Sequence, residues 1–108
     1  MAAGYQVLVN TKYMENTQTL QYTAGVRARI ENMSVTNNTA SAAVFSAHIV
    51  PSAGSVGAQY KVIQDTTVSP GERVEFALQG HALALGDKLY TTADTASALV
   101  MRISGTLF

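Results

Sequence analysis

Acid–base or metal chemistry in this chain would have to come from two histidines, His48 and His81, and seven Asp and Glu residues spread over 108 positions. Neither histidine has an acidic neighbour in sequence. In the alternating stretch 43–50, His48 falls on the face opposite Phe45 and Ile49, which makes it an outward or interfacial strand residue and not a base or ligand. His81 follows Gln79-Gly80 at a strand start, a surface or turn position. Glu72 and Glu75 are three apart on a short strand region and so point to opposite faces, which rules out an acid–base pair on that strand. Asp65, Asp87 and Asp94 fall in turns, where Asp accepts from nearby backbone N–H groups. A metal centre needs ligands that converge, and no His–carboxylate spacing of that kind occurs. Gly54-Ser55-Val56-Gly57 lacks the Gly-Lys-Ser/Thr and the helix of a phosphate loop, and no Gly-x-Ser-x-Gly elbow is present. The chain therefore reads as non-enzymatic, with no catalytic, cofactor-binding or metal-binding residues and no cofactor.

The elements that would position any functional side chain are short strands. Val26, Ala28 and Ile30 share one face and Arg27, Arg29 and Glu31 the other, after which the apolar phase shifts to Met33 and Val35, predicting a bulge near Glu31 and Asn32. Thr36-Asn37-Asn38-Thr39 reads as a turn in which Asn supplies positive φ. Residues 43–50 form a strand that ends at Pro51, residues 51–58 a loop, and residues 59–64 a strand with Tyr60 and Val62 on one side. Ser69-Pro70-Gly71-Glu72 is a strong turn signal, since Pro presets φ and Gly accepts φ > 0. Val74, Phe76 and Leu78 then alternate with Arg73, Glu75 and Ala77. Leu89 and Thr91 alternate with Tyr90 and Thr92, and Leu99, Met101 and Ile103 with Val100, Arg102 and Ser104, before Gly105 permits a bend. About eight strands at this spacing predict an all-β, single-domain antiparallel β-sandwich, jelly-roll or immunoglobulin-like, over residues 20–108. Residues 1–19 lack a clean period and read as an N-terminal arm or edge strand whose Tyr5, Val7, Leu8, Val9, Tyr13 and Met14 pack against a neighbouring subunit.

Composition says what such a sandwich is for. Asp, Glu, Lys and Arg make up 13% of the residues, against roughly 25% in an ordinary domain, so part of the surface is expected to be covered. A net charge of zero argues against nucleic acid, whose binding rests on Lys and Arg, and does little to keep molecules apart. The absence of cysteine excludes disulfides and thiolate metal sites. The N-terminus lacks the basic and apolar segments of a signal peptide, and no apolar run approaches the ~20 residues of a membrane span. Arg27 and Arg29 share their face with Glu31 and read as rim charges of an interface.

Several pieces recur in a recognisable order: Tyr22-Thr23-Ala24-Gly25, Val35-Thr36-Asn37, His48-Ile49-Val50-Pro51-Ser52-Ala53-Gly54, Ser69-Pro70-Gly71-Glu72, Leu85-Gly86-Asp87 and Arg102-Ile103-Ser104-Gly105. Together they resemble a small β-sandwich found among tailed-bacteriophage structural proteins, over residues 20–108. The resemblance implies a virion component without enzymatic activity. Such sandwiches serve as capsid decoration or cement proteins and as tail or fibre parts, where they can bind a glycan or host receptor. Here the short arm and single domain favour decoration or cement. The implied partners are other virion proteins, foremost the major capsid protein, and further copies of the chain, with no nucleic acid and no membrane. The implied location is the virion, after synthesis in the host cytoplasm without a signal peptide.

Overall fold

A computed structural model describes residues 4–75 and 80–108. Among the described residues nine strands form two antiparallel sheets: β1 (Gly4–Tyr13), β2 (Thr19–Thr23), β3 (Ala28–Asn37), β4 (Ala43–Val50), β5 (Lys61–Val68), β6 (Arg73–Glu75), β7 (Ala82–Leu83), β8 (Lys88–Ala93) and β9 (Leu99–Leu107). Phe76, Ala77 and Leu78, half of the alternation expected after Arg73, lie outside the described residues.

One sheet runs β1-β9-β3-β6, with β7 also on β3, and the other runs β2-β8-β4-β5. The pairs are nested: β4 with β5, β3 with β6 and β7, β2 with β8, and β1 with β9. The chain is thus one long hairpin, folded back between β4 and β5 and wound so that successive pairs fall in opposite sheets. That is jelly-roll order. An immunoglobulin arrangement keeps the first two strands in one sheet, whereas β1 and β2 belong to different sheets here.

The alternation read from sequence is the burial pattern observed. Ile30, Met33, Val35, Phe45, Leu89, Leu99, Met101 and Ile103 are buried between the sheets, and the pairing of β3 with β9 slips between Ile30 and Asn32, at the expected bulge. Ser69-Pro70-Gly71-Glu72 closes with Glu72 N–H donating to the Ser69 carbonyl at 3.0 Å, with Gly71 at φ 73°. Positive φ at the third residue after Pro at the second is a type II turn.

The N-terminal segment is the outermost strand of its sheet. β1 pairs with β9 from Gly4↔Leu107 to Tyr13↔Val100, and register shifts at Val7/Val9 and Val9/Lys12 account for its lack of a clean period. Met14 does not meet a neighbouring subunit: it is fully buried in the chain's own core, and its N–H donates to the Leu99 carbonyl at 2.7 Å. Lys12 Nζ reaches Glu15 Oε2 at 2.8 Å and Gln21 Oε1 at 3.0 Å, and Gln21 Nε2 donates to Glu15 Oε1 at 2.8 Å and Thr91 Oγ1 at 3.0 Å. This network latches β1 of one sheet to β2 and β8 of the other.

Four local expectations are corrected. Asn37 does not supply positive φ, which among described non-glycine residues belongs to Ser97 at 55°; it ends β3 with its side chain buried. Gln59 and Tyr60 belong to a single 3-10 turn, Ala58–Tyr60, closed by Tyr60 N–H on the Gly57 carbonyl at 3.0 Å, so β5 begins only at Lys61. Asp65 lies inside β5 and not in a turn. Gly105 does not bend the chain, because β9 continues through it to Leu107. A Cβ there would collide with the Arg29 carbonyl oxygen and stand 2.8 Å from Leu8 Cδ1, so glycine is needed for close approach of backbones.

Candidate interaction surface

Strand pairing decides which side chains meet. Tyr5 of β1 lies opposite Thr106 of β9, Thr106 opposite Arg29 of β3, and Arg29 opposite Ala82 of β7, one rung across four strands. The neighbouring rung is Gly4, Leu107, Ala28 and Leu83. At the strand spacing of about 4.8 Å the Tyr5 and Ala82 backbones are about 14 Å apart.

Charge on this end is largely internally satisfied. Arg29 Nε and Nη2 donate to Glu31 Oε2 at 2.9 and 2.7 Å, and Thr106 Oγ1 donates to the same oxygen at 2.9 Å. The Arg29 hydrogen bond, helped by Thr106, holds the Glu31 carboxyl below its ordinary pKa. The Arg29 guanidinium also lies 6.0 Å from the centroid of Phe108, at the outer limit of a cation–π contact.

Beside the rung is a cleft of about 440 Å³. Buried Ala28 and Leu83 and exposed Ala82, Ala84 and Phe108 give it an apolar lining, to which Arg27 and Asp87 add one charge of each sign. Phe108 is held there by its N–H on the Arg27 carbonyl at 2.9 Å. Asp87 Oδ2 accepts from Ala84 N–H at 2.9 Å and Asp87 N–H donates to the Ala84 carbonyl at 3.0 Å, closing a turn whose Gly86 has φ 89° and whose tip, Leu85, is exposed. Arg27 is exposed, with no carboxylate within 4.0 Å among the described residues.

Of the residues expected at an interface, Tyr5, Arg27 and Arg29 come together at this end. Tyr5 is 66% exposed. Val7 and Tyr13 are also exposed and continue the apolar line along β1, where the Tyr13 hydroxyl accepts from Asn38 Nδ2 at 2.9 Å. Leu8 packs against the core and Val9 belongs to it, so Val9 is not free to meet a neighbour; the slip at Val7/Val9 turns it inward. Phe108, Leu83 and the paired alanines were missed, because no periodic signal links the chain end to a two-residue strand; only the Leu85-Gly86-Asp87 turn marked the place.

The search for chemistry gives a different result. His48 keeps the face opposite Phe45 and Ile49 but is covered there, at 4% exposure: its neighbours across the ladder are Lys61 of β5 and Tyr90 of β8, and β4 also contacts the Ala58–Tyr60 turn. Its Nδ1 has no hydrogen-bond partner among the described residues. Burial, and secondarily the Lys61 charge, push its pKa below 6.5. His81 is exposed, and its carbonyl accepts from Ile30 N–H at 2.9 Å. Asp87 caps its turn as read, whereas Asp94 Oδ1 accepts from Val44 N–H of the distant β4 at 3.0 Å. Among the described residues no three His, Asp or Glu side chains gather as metal ligands. No protein-family model matches the chain, and no curated protein matches its sequence.

Proposed function

We propose that this chain is a non-enzymatic structural protein of a bacteriophage virion, a capsid decoration or cement protein that stabilises the shell through contacts with the major capsid protein and with its own copies. The observation that carries this reading is the exposed line Tyr5, Val7 and Tyr13 on β1, a terminal strand whose outer edge pairs with nothing among the described residues. Proteins that stay monomeric guard such an edge with charge, Pro or a bulge. β1 has bulges, but its one charged residue, Lys12, is tied to Glu15 and Gln21. Adhesion is then the mechanism: interfaces near ~1,600 Å², repeated symmetrically, lock a shell even when each is modest.

The cleft supports a second reading, a tail- or fibre-associated module that takes a glycan or host receptor against Phe108, Arg27 and Asp87. Quantitative mass spectrometry of purified particles separates the two. Hundreds of copies per particle support decoration, a few tens or fewer support the tail, and absence from particles overturns both.

A further inference from the structure

We propose that residues 51–60, between β4 and β5, form a strap over the outer face of the β2-β8-β4-β5 sheet that lifts in mild acid, with His48 beneath it as the trigger. This stands apart from the virion reading, because it concerns a movement within the single chain.

The strap shows in the burial of β4. Pairing with β8 is unbroken from Phe45↔Ala93 to Val50↔Lys88, so Phe45 and Ala47 enter the core while His48 and Val50 share the opposite face. Elsewhere on β4 that face is partly wet, as at half-buried Val44 and Ser46. His48 is nonetheless covered, and Val50 is fully buried without belonging to the core cluster between the sheets. The cover over Val50 is the strap: a Cβ on Gly54 would stand 3.4 Å from both Val50 Cγ1 and the Tyr60 hydroxyl. On the other side a Cβ on Gly86 would stand 2.6 Å from Ser52 Cβ, so the strap also rests against the Leu85-Gly86-Asp87 turn.

The strap is lightly tied. Gly54 N–H donates to the Pro51 carbonyl at 2.9 Å and Tyr60 N–H to the Gly57 carbonyl at 3.0 Å, bonds internal to the segment that lifting need not break. Among the described residues its hydrogen bond to another element is Lys88 Nζ on the Ser52 carbonyl, at 3.4 Å.

Neutral His48 suits this place and the imidazolium does not. Its Nδ1 is buried without a partner among the described residues, and protonation would set an uncompensated charge there. The titratable and charged groups on the surrounding elements are Lys61 and Asp65 of β5, Lys88 and Tyr90 of β8, and Tyr60 of the strap. Lys61, a cation, is directly opposite His48, while the carboxylate of Asp65 is exposed and pairs with Lys61 at 3.8 Å. Burial, then the Lys61 charge, accordingly hold the imidazole below its ordinary pKa of 6.5. Raising the strap lets water reach the imidazolium, so proton uptake favours the raised form over the closed one.

Nuclear magnetic resonance with a soluble gadolinium chelate, which broadens methyl groups near solvent, tests this. The Val50 methyls should be spared at about pH 7.5 and broadened at about pH 5, following the titration of the His48 ring, while Ile103 in the core is spared throughout. The raised fraction should grow by up to about tenfold per pH unit, the limit for one proton. His48→Gln should leave Val50 spared at both pH values. Tyr60→Ser should loosen the strap and move the His48 midpoint up towards its ordinary value, a readout that remains should His48→Gln not fold. A wild-type Val50 spared at both pH values, a His48→Gln variant that broadens like the wild type, or a His48 midpoint unmoved by Tyr60→Ser would overturn the proposal. Val50 and Ile103 broadening together would overturn it as well, since the whole sandwich would then be loosening and not the strap.

Discussion

The side-chain amide of Asn37, at the end of β3, donates to the carbonyl of Val68, at the end of β5, at 2.9 Å, joining the two sheets through a fully buried polar group. The same Nδ2 donates to the Ser41 carbonyl at 2.8 Å, while Oδ1 accepts from Thr39 N–H at 2.9 Å and Thr39 Oγ1 at 2.7 Å. Its backbone is used as well, donating to Glu72 and accepting from Gly71, both at 2.9 Å.

Asn37→Ala should therefore destabilise the fold by about 3 kcal/mol, because it leaves the buried Val68 carbonyl and the 38–41 loop without their shared partner. Urea unfolding measures this. Asn37→Asp should be as damaging, since it keeps the acceptor but sets a carboxylate against two carbonyls. A loss under about 1 kcal/mol would mean that water replaces the amide and that the staple is dispensable.

Gly105→Ala tests the close approach of β9 to β3. The added methyl meets the Arg29 carbonyl, which is backbone and cannot rotate away, and Leu8 Cδ1, which can. We expect a loss of about 3 kcal/mol, the upper range for an overpacked core. Amide exchange should quicken first in β1, which reaches the body only through β9 on its paired side. Unchanged exchange in Gly4–Tyr13 would show that β3 and β9 separate without disturbing the edge.

Most of the fold was legible because it rests on period-two burial: Phe45 and Ala47, Leu89 and Thr91, and Leu99, Met101 and Ile103 are buried as their alternation requires. What broke the period was hidden. Two slips in β1 left a ten-residue edge strand undistinguished from an arm, and the 3-10 turn before Lys61 was read as strand because Tyr60 and Val62 mimic alternation. Burial of polar groups was equally hidden, since Asn37 and His48 have turn and surface residue types, and only neighbours distant in sequence decide that they are covered. The strand order that separates jelly roll from immunoglobulin topology depends on pairs such as β1 with β9, about a hundred positions apart, and local pattern does not carry them. The interaction surface was half visible: Tyr5, Arg27 and Arg29 were singled out, but their convergence on Phe108 needed the ladder.

His48 makes stability depend on mildly acid pH. Its folded pKa lies below its unfolded value of 6.5, from burial first and Lys61 second, so the unfolded chain takes up a proton before the folded one. Stability should thus be complete above that value, fall as pH drops below it, and level once the folded state is protonated as well. Lys61 and Tyr90 are its neighbours across the ladder, and Lys61 also pairs with Asp65 at 3.8 Å. Glu15 is lowered from 4.5 by the Lys12 hydrogen bond, and its contribution is lost only at lower pH, so the two windows separate. His48→Gln should flatten the slope just below pH 6.5 in urea titrations. A variant with the wild-type slope would assign it to another group.

Val7 and Val9 are two residues apart, yet one is exposed and the other buried, because the register slips between them. They separate binding from folding. Val7→Ser should leave stability within about 0.5 kcal/mol, as for an exposed position, while weakening attachment to capsids in a co-sedimentation assay. Val9→Ser should cost about 3 kcal/mol, since it removes core methyls and buries a hydroxyl, with any loss of attachment following the loss of folded protein. Full capsid attachment by Val7→Ser together with Tyr13→Ser would remove the exposed face of β1 from the interface. Loss of folding by Val7→Ser would instead show that this strand's outer side belongs to the sandwich and not to a partner.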